Sequence, residues 1–203
     1  MDKDVRIPQQ KRSIEKKQRI IKVAHQLFDK NGYYATNTAM IAKQAGLSVC
    51  SIYSYFQDKR DIMLACLQEN SEEINRRICE QISKLALDNG IFTIAQGVYR
   101  VFIESHNFSK QYHDDVMSLK YADENIRSYF INERKYFAQT TVDQLKKCGI
   151  VFKHEKEQTF LIYSLLESLE DEIIYNADTD IDKEIVVNEC ARIIADMLQK
   201  VEK

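Results

Sequence analysis

The chain has 203 residues, of which five are Gly and one is Pro, about 3% where a globular protein averages roughly 12%. Turns are built largely from those two residues, so a β-sandwich, a barrel or a Gly-rich loop enzyme is excluded in favour of an all-α fold. The formal net charge of −2 conceals an asymmetry: residues 1–60 carry twelve Lys/Arg against five acids, a surplus of +7, which leaves −9 on residues 61–203. A basic head on an acidic body points to a head that meets a polyanion.

No run of about 18 apolar residues is present, and the polar start MDKDVRIPQQKRS does not resemble a secretory signal. The five cysteines (Cys50, Cys66, Cys79, Cys148 and Cys190) are scattered, odd in number and never spaced as CxxC. Reduced thiols in a cytoplasmic protein are therefore expected.

Residues 1 to about 12 read as a basic arm containing Pro8. From Ser13, the apolar positions Ile14, Ile20, Ile21, Ala24, Leu27 and Phe28 recur at helical spacing, with Lys16, Lys17, Arg19 and Lys22 on the opposite face. Asn31-Gly32 ends this first helix. In TNTAMIAKQAGLSVCSIYSYF, the side chain of Thr36, Asn37 or Thr38 can cap a second helix whose apolar face holds Ile41, Ala42 and Ala45. Gly46 breaks it, Ser48 caps a third over Val49–Phe56, and Ile52 and Phe56 turn inward. Two short helices joined by a tight Gly-containing turn describe a helix-turn-helix.

Asp58 is a candidate cap for a long fourth helix through Ile62, Ala65, Cys66, Ile78 and Ile82, ended by Asn89-Gly90. Five further helices are expected near 91–106, 110–121, 124–148, 155–176 and 182–201, about nine in all. The last two are apolar over a wide arc, which requires burial on two sides, one of them against a partner subunit. Leu165, Leu169, Ile173, Ile193, Ile194 and Met197 are the candidate interface residues of a homodimer.

On the third helix, Val49, Cys50, Ser51, Tyr53, Ser54 and Tyr55 are left to face outward or sideways. Tyrosines among small residues suit DNA, where the ring packs on sugar or a thymine methyl and the hydroxyl reaches phosphate. An ordinary helical hairpin with half-buried tyrosines would carry a similar pattern, but the +7 head weighs against it. The aromatic-rich middle helices supply either core or an aromatic-lined cavity for a small effector, with Tyr99, Phe102, His106, Tyr121, Tyr136 and Phe137 as candidates. Gly97, inside an expected helix, serves close packing or ligand approach, or is a tolerated surface glycine.

His106, His113 and the acids after them do not make a metal site at helical spacing, because a helix break is expected near Asn107. No metal and no cofactor is expected. Asp114-Asp115 and Glu170-Asp171-Glu172 read as solubilising charges. GxSxG, HExxH, Walker and GxGxxG motifs are lacking, so an enzyme is not expected.

The stretch Gly32-Tyr33, Thr36, Ile41-Ala42, Ala45-Gly46-Leu47-Ser48, Ser51-Ile52-Tyr53, Tyr55-Phe56, Lys59 and Ile62 resembles the DNA-binding signature of the tetracycline-repressor (TetR) family of bacterial transcription regulators. About fifty residues carry the resemblance; the rest is similar only in length and helical content. It implies a DNA-binding head at 1–57 and an effector-binding, dimerising body at 58–203. It further implies a homodimeric repressor on a palindromic double-stranded operator, released by a small molecule. By position, Thr36, Thr38 and Lys59 would hold phosphate, and Ser48, Val49, Cys50, Ser51, Tyr53, Ser54 and Tyr55 would face DNA, with Asn37 beside them. Cys50 and Ser54 depart from the small residue and the His or large aromatic usual there, so base preference does not transfer. The competing readings are a helical adaptor that uses the same head with a protein partner, and a helical enzyme acting on a lipid or aromatic substrate.

Overall fold

A computed structural model describes residues 11–86, 90–169, 175, 180 and 182–200. Among these are nine helices: α1 (Lys11–Asn31), α2 (Thr38–Ala45), α3 (Val49–Tyr53), α4 (Lys59–Leu85), α5 (Ile91–Ser105), α6 (Lys110–Ala122), α7 (Glu124–Lys147), α8 (Glu155–Leu169) and α9 (Lys183–Met197). The all-α expectation holds, and the helix starts fall within two residues of those expected. A two-stranded antiparallel ribbon, β1 (Ile150–Val151) with β2 (Gln199–Lys200), was not foreseen. Gly149, at φ 81°, ends α7 and frees Ile150 to pair with Lys200, so α9 stops at Met197 rather than running on to 201.

Packing divides the chain into two compact units, one of residues 1–71 and 108–130, the other of residues 72–107 and 131–203. In the first unit, Ile20, Ala24 and Phe28 of α1, Ile41 of α2, Ile52 of α3, Phe56 and Ile62 are at most 2% exposed and form one core with Tyr112, Val116 and Leu119 of α6. Each fully buried apolar side chain of this size contributes about 1.5–3 kcal/mol. This core uses the α1 face foreseen from spacing except at Ile14, which is exposed.

Helix ends are set by local chemistry. Asn37 caps α2, its Oδ1 accepting from the Met40 N–H at 3.0 Å. Gly46, at φ 66°, closes α2 with paired bonds from Gly46 N–H to the Lys43 carbonyl and from Leu47 N–H to the Ala42 carbonyl. Asp58 and Asp61 cap α4 reciprocally, Asp61 N–H donating to Asp58 Oδ1 and Gln57 N–H to Asp61 Oδ2.

The second unit packs the latter parts of α4 and α7 with α5, α8 and α9 around Ile78, Ile82, Ile94, Tyr99, Leu166 and Ala191. Gly97 is buried here: a Cβ would come within 2.4 Å of Leu85 Cδ1 and 2.9 Å of Gln81 Nε2, so its role is close approach of α5 to α4. Gln96 of α5 donates to Asn188 of α9 at 2.5 Å, and Arg100 pairs with Glu184 at 3.1 Å.

Candidate nucleic-acid interface

The sequence before and within α3 builds a short, rigid platform. Ser48 caps it, its Oγ accepting from the Ser51 N–H at 3.1 Å, and Ile52 anchors it in the core. The helix ends at Tyr53, three residues earlier than expected. Ser54 Oγ donates to the Ser51 carbonyl, and Tyr55 N–H donates to the Ile52 carbonyl, which tightens the last turn before Phe56 returns to the core.

What remains outside is the expected outward set. Ser48, Cys50 and Ser54 are exposed, with Val49 at 38% and Tyr53 at 44%; Ser51 is half-buried. The Tyr53 hydroxyl lies 3.3 Å from Thr38 Oγ1, so the two form one polar edge where α2 begins beside α3. Asn37 is exposed next to them. Tyr55 is half-buried with its hydroxyl 3.1 Å from Ser13 Oγ, which ties the turn after α3 to the start of α1.

Two residues expected at phosphates point inward instead. Thr36 is 1% exposed and its hydroxyl donates to the carbonyls of Gly32 (2.9 Å) and Leu27 (3.2 Å). Lys59 sends its ammonium to the carbonyls of Tyr33 (2.7 Å) and Thr36 (2.8 Å), 4.0 Å from the centre of the Tyr33 ring. Burial lowers the Lys59 pKa, with the Asp115 carboxylate opposing. Both residues lock the α1–α2 turn, whose orphan carbonyls need donors. The exposed cations of α1 and α2 are Lys11, Arg12, Lys16, Arg19, Lys22, Lys30 and Lys43. Lys17 is half-buried, its ammonium 5.5 Å from the centre of the Phe56 ring.

Sequence reasoning missed the residues that hold this platform from α6. Asp115, read as a solubilising charge, is 5% exposed and accepts from Tyr33 N–H at 2.6 Å and Gln111 Nε2 at 2.8 Å. Asp29 accepts from Ser109 N–H through Oδ1, and its carbonyl accepts from Ser109 Oγ, both at 2.6 Å. Arg60 pairs with Asp123 at 3.0 Å, and the Ile126 N–H, seconded by this pair, holds the Asp123 carboxyl below its usual range. Ser109 ahead of Lys110 is a cap signature legible in sequence; the reach of Asp115 across 82 residues is not.

In the second unit, Tyr99 and Phe137 line an apolar cavity together with Ile94, Leu145, Ile162 and Leu166. The other candidates for effector contact fall elsewhere. Phe102 is buried against His106, ring centres 4.2 Å apart, and His106 Nδ1 donates to the Phe102 carbonyl at 2.7 Å. Tyr121 is 74% exposed in the first unit, and Tyr136 is 56% exposed. Among the candidate interface residues, Ile193 is exposed and Leu165 and Met197 are half-buried, while Ile194 is core at 6% and lines the cavity. Leu169 ends α8, its side chain outside the described residues, as is Ile173. Phe160, Leu161 and Ile185, which belong to the same wide apolar arcs of the last two helices, are exposed on α8 and α9.

Among the described residues no group of three or more His, Cys, Asp or Glu is placed to hold a metal ion, and no helix is long and apolar enough to cross a membrane. Cys50 is exposed, Cys66 and Cys190 are buried, and burial pushes the Cys66 thiol pKa up.

Residues 20–66 match the family model described as bacterial regulatory proteins, tetR family. The chain is 38% identical over 71 residues to the HTH-type transcriptional regulator HbdR of Aromatoleum sp. (strain CIB), covering 35% of this chain and 31% of that one. It is 36% identical over 67 residues to the fatty acid metabolism regulator protein of Bacillus subtilis (strain 168), covering 33% and 34%. These matches span about a third of the length of the curated relatives. Over nearly the whole chain the fold is shared with a protein described as a TetR-family transcriptional regulator from Mesorhizobium loti MAFF303099: TM-score 0.75, 16% identity, 95% of this chain and 100% of that one. It is also shared with the fatty acid degradation regulator FadR from Bacillus halodurans, with TM-score 0.59, 16% identity, and coverage of 89% and 94%.

Proposed function

We propose, from the match of residues 20–66 to the tetR family of bacterial regulatory proteins, that the chain is a member of that family and a homodimeric repressor in the cytoplasm. In this reading it binds a palindromic double-stranded operator and is released by a small effector. The observation that carries the reading is the polar edge of Thr38 and Tyr53 beside exposed Val49, Cys50 and Ser54, all on helices anchored in one core.

Such a face can be pressed into a major groove while α2 crosses the backbone. It holds no Arg or Lys, so the bidentate contact to guanine is not available from α3. Readout therefore uses tyrosine and serine hydroxyls, contacts to thymine methyls from Val49, and the shape of the groove. The α1 cations supply the salt-dependent attraction to phosphate.

Exposed Leu161, Ile185 and Ile193 on α8 and α9 support a subunit interface there. The apolar cavity of the second unit supports an effector site, with Tyr99 and Phe137 retained from the expected set. The first unit thus handles DNA and the second the effector; packing puts residues 58–71 and 108–130 with the DNA-binding helices, so the division falls within α4 and not at 57/58. Footprinting on the DNA upstream of the protein's own reading frame tests the proposal: a protected, two-fold symmetric site is expected, lost on addition of the effector. Protection of no site in that region would overturn it.

A further inference from the structure

Two threonine hydroxyls in the second unit, those of Thr141 and Thr159, are buried without a hydrogen-bond partner. Both line the apolar cavity between α5, α7, α8 and α9, where the rest of the lining is aliphatic or aromatic, Tyr99 included. Unpartnered buried hydroxyls are costly, so their concentration in one cavity marks a place for a ligand oxygen. The Cys190 thiol lies beside the Tyr99 hydroxyl, whereas Thr141 and Thr159 have no such neighbour.

A second hollow shares Ala138, Val142, Thr159 and Tyr163 with this cavity as a common wall. It is an open surface groove, and its rim is cationic: Arg134, Lys135 and Lys156 face it against the single acid Glu155. Arg134 lies 4.7 Å from the Tyr163 ring centre and 5.3 Å from that of Phe160, and pairs with Glu167 at 3.5 Å. Glu155 is already paired with Lys146 at 2.5 Å. Lys135 and Lys156 are exposed, leaving two cations of the groove for an anion.

We propose that the second unit binds an amphiphile, with an unbranched acyl chain in the apolar cavity and an anionic head in the groove at Lys135 and Lys156. Thr159 lines both hollows, so its hydroxyl, with that of Thr141, donates to the acyl carbonyl oxygen where the chain passes from one to the other. The cavity offers no charged group to a buried ammonium or carboxylate, which excludes a ligand charged at its inner end. A free fatty acid and an acyl thioester with a phosphorylated head share this chemistry. The inference rests on the reading of this unit as the effector-binding part and adds the ligand's class.

The test titrates the full chain with dodecanoate, dodecanoyl-coenzyme A, dodecanol and coenzyme A, each below its micelle concentration. Saturable binding of one chain-bearing anion per protomer is expected, with dodecanol at least tenfold weaker and coenzyme A alone not binding. The tighter of the acid and the thioester identifies the source. Lys135→Glu with Lys156→Glu, both on the surface, should weaken the anion at least fivefold and leave dodecanol unchanged. Thr159→Val should weaken both anions.

Equal affinity for dodecanoate and dodecanol would overturn the proposal, as would no binding of either anion by protein that melts cooperatively. DNA retention measured on the same samples separates the two readings. Acyl binding without release of DNA supports the ligand class and contradicts the effector role. Release by another class of compound, with no acyl binding, contradicts the ligand class alone.

Discussion

The backbone N–H of Tyr33 donates to Asp115 Oδ2 at 2.6 Å, joining the turn after α1 to the middle of α6 across 82 residues of sequence. The same carboxylate oxygen lies where a Cβ on Gly32 would come within 2.9 Å of it, and Gly32 sits at φ 84°, so no side chain fits. The turn that carries the start of α2, and with it Thr38, is therefore fixed by a buried acid from a distant helix as well as by its own Thr36.

Asp115→Ala should lower unfolding free energy by about 1–3 kcal/mol, since a buried N–H loses a charged acceptor. Denaturant melting checks this. A change below about 0.5 kcal/mol would mean that water or another acceptor replaces the carboxylate.

Tyr53→Ala removes an exposed side chain whose hydroxyl meets only the surface hydroxyl of Thr38, so stability should change by less than about 0.5 kcal/mol. Affinity for the operator should fall at least tenfold, read by gel retardation at fixed salt. Lys59→Met should do the reverse of what its position in the TetR signature suggests: it leaves two turn carbonyls without their ammonium and costs about 1–3 kcal/mol of stability.

Gly97→Val should destabilise the chain by about 1–3 kcal/mol through overpacking against Leu85. Gly97→Ala sets a smaller clash against a gain of up to about 1 kcal/mol in helix propensity. Shortening the obstruction with Leu85→Ala should make the Gly97→Ala change favourable in that background, which a double-mutant cycle measures.

His25 packs against the rings of Phe108 (4.8 Å) and Tyr112 (5.4 Å), with a buried Nε2 that has no hydrogen-bond partner. Burial lowers its pKa from 6.5, the Asp29 carboxylate opposing. The native state thus holds neutral imidazole, and the unfolded chain binds the extra proton. The stability this gives is complete above pH 6.5 and is lost as pH falls below that value through the lowered native pKa. Melting temperature should drop over that window, and His25→Phe should flatten the drop. An unchanged slope in the variant would assign the pH response to other groups.

Much of the head was legible because its signals are local. Asn37, Gly46, Ser48 and Asp58 act within four residues of themselves, and Ile52 and Phe56 declare their faces by spacing. Thr36, Lys59 and Asp115 were misread because their partners lie on segments that only tertiary packing brings near, and a polar residue has no periodicity to show whether it faces water or a carbonyl. In the body, ring content located a cavity but not its walls: Tyr99 and Phe137 enter it, whereas Tyr121 and Tyr136 are exposed. Ile194 belongs to the same wide apolar arc as Ile193, and one residue of rotation, about 100°, separates a core side chain from an exposed one.

The central claim, that the exposed face of α2 and α3 reads DNA, is tested most directly by gel retardation on the protein's own upstream DNA. Wild type and Tyr53→Ala are compared over a range of salt at equal thermal stability. The account predicts salt-sensitive, sequence-selective retention by wild type, and for the variant an at least tenfold loss of selective affinity with a similar salt slope. Equal selective retention by both proteins, or none by wild type, would contradict it.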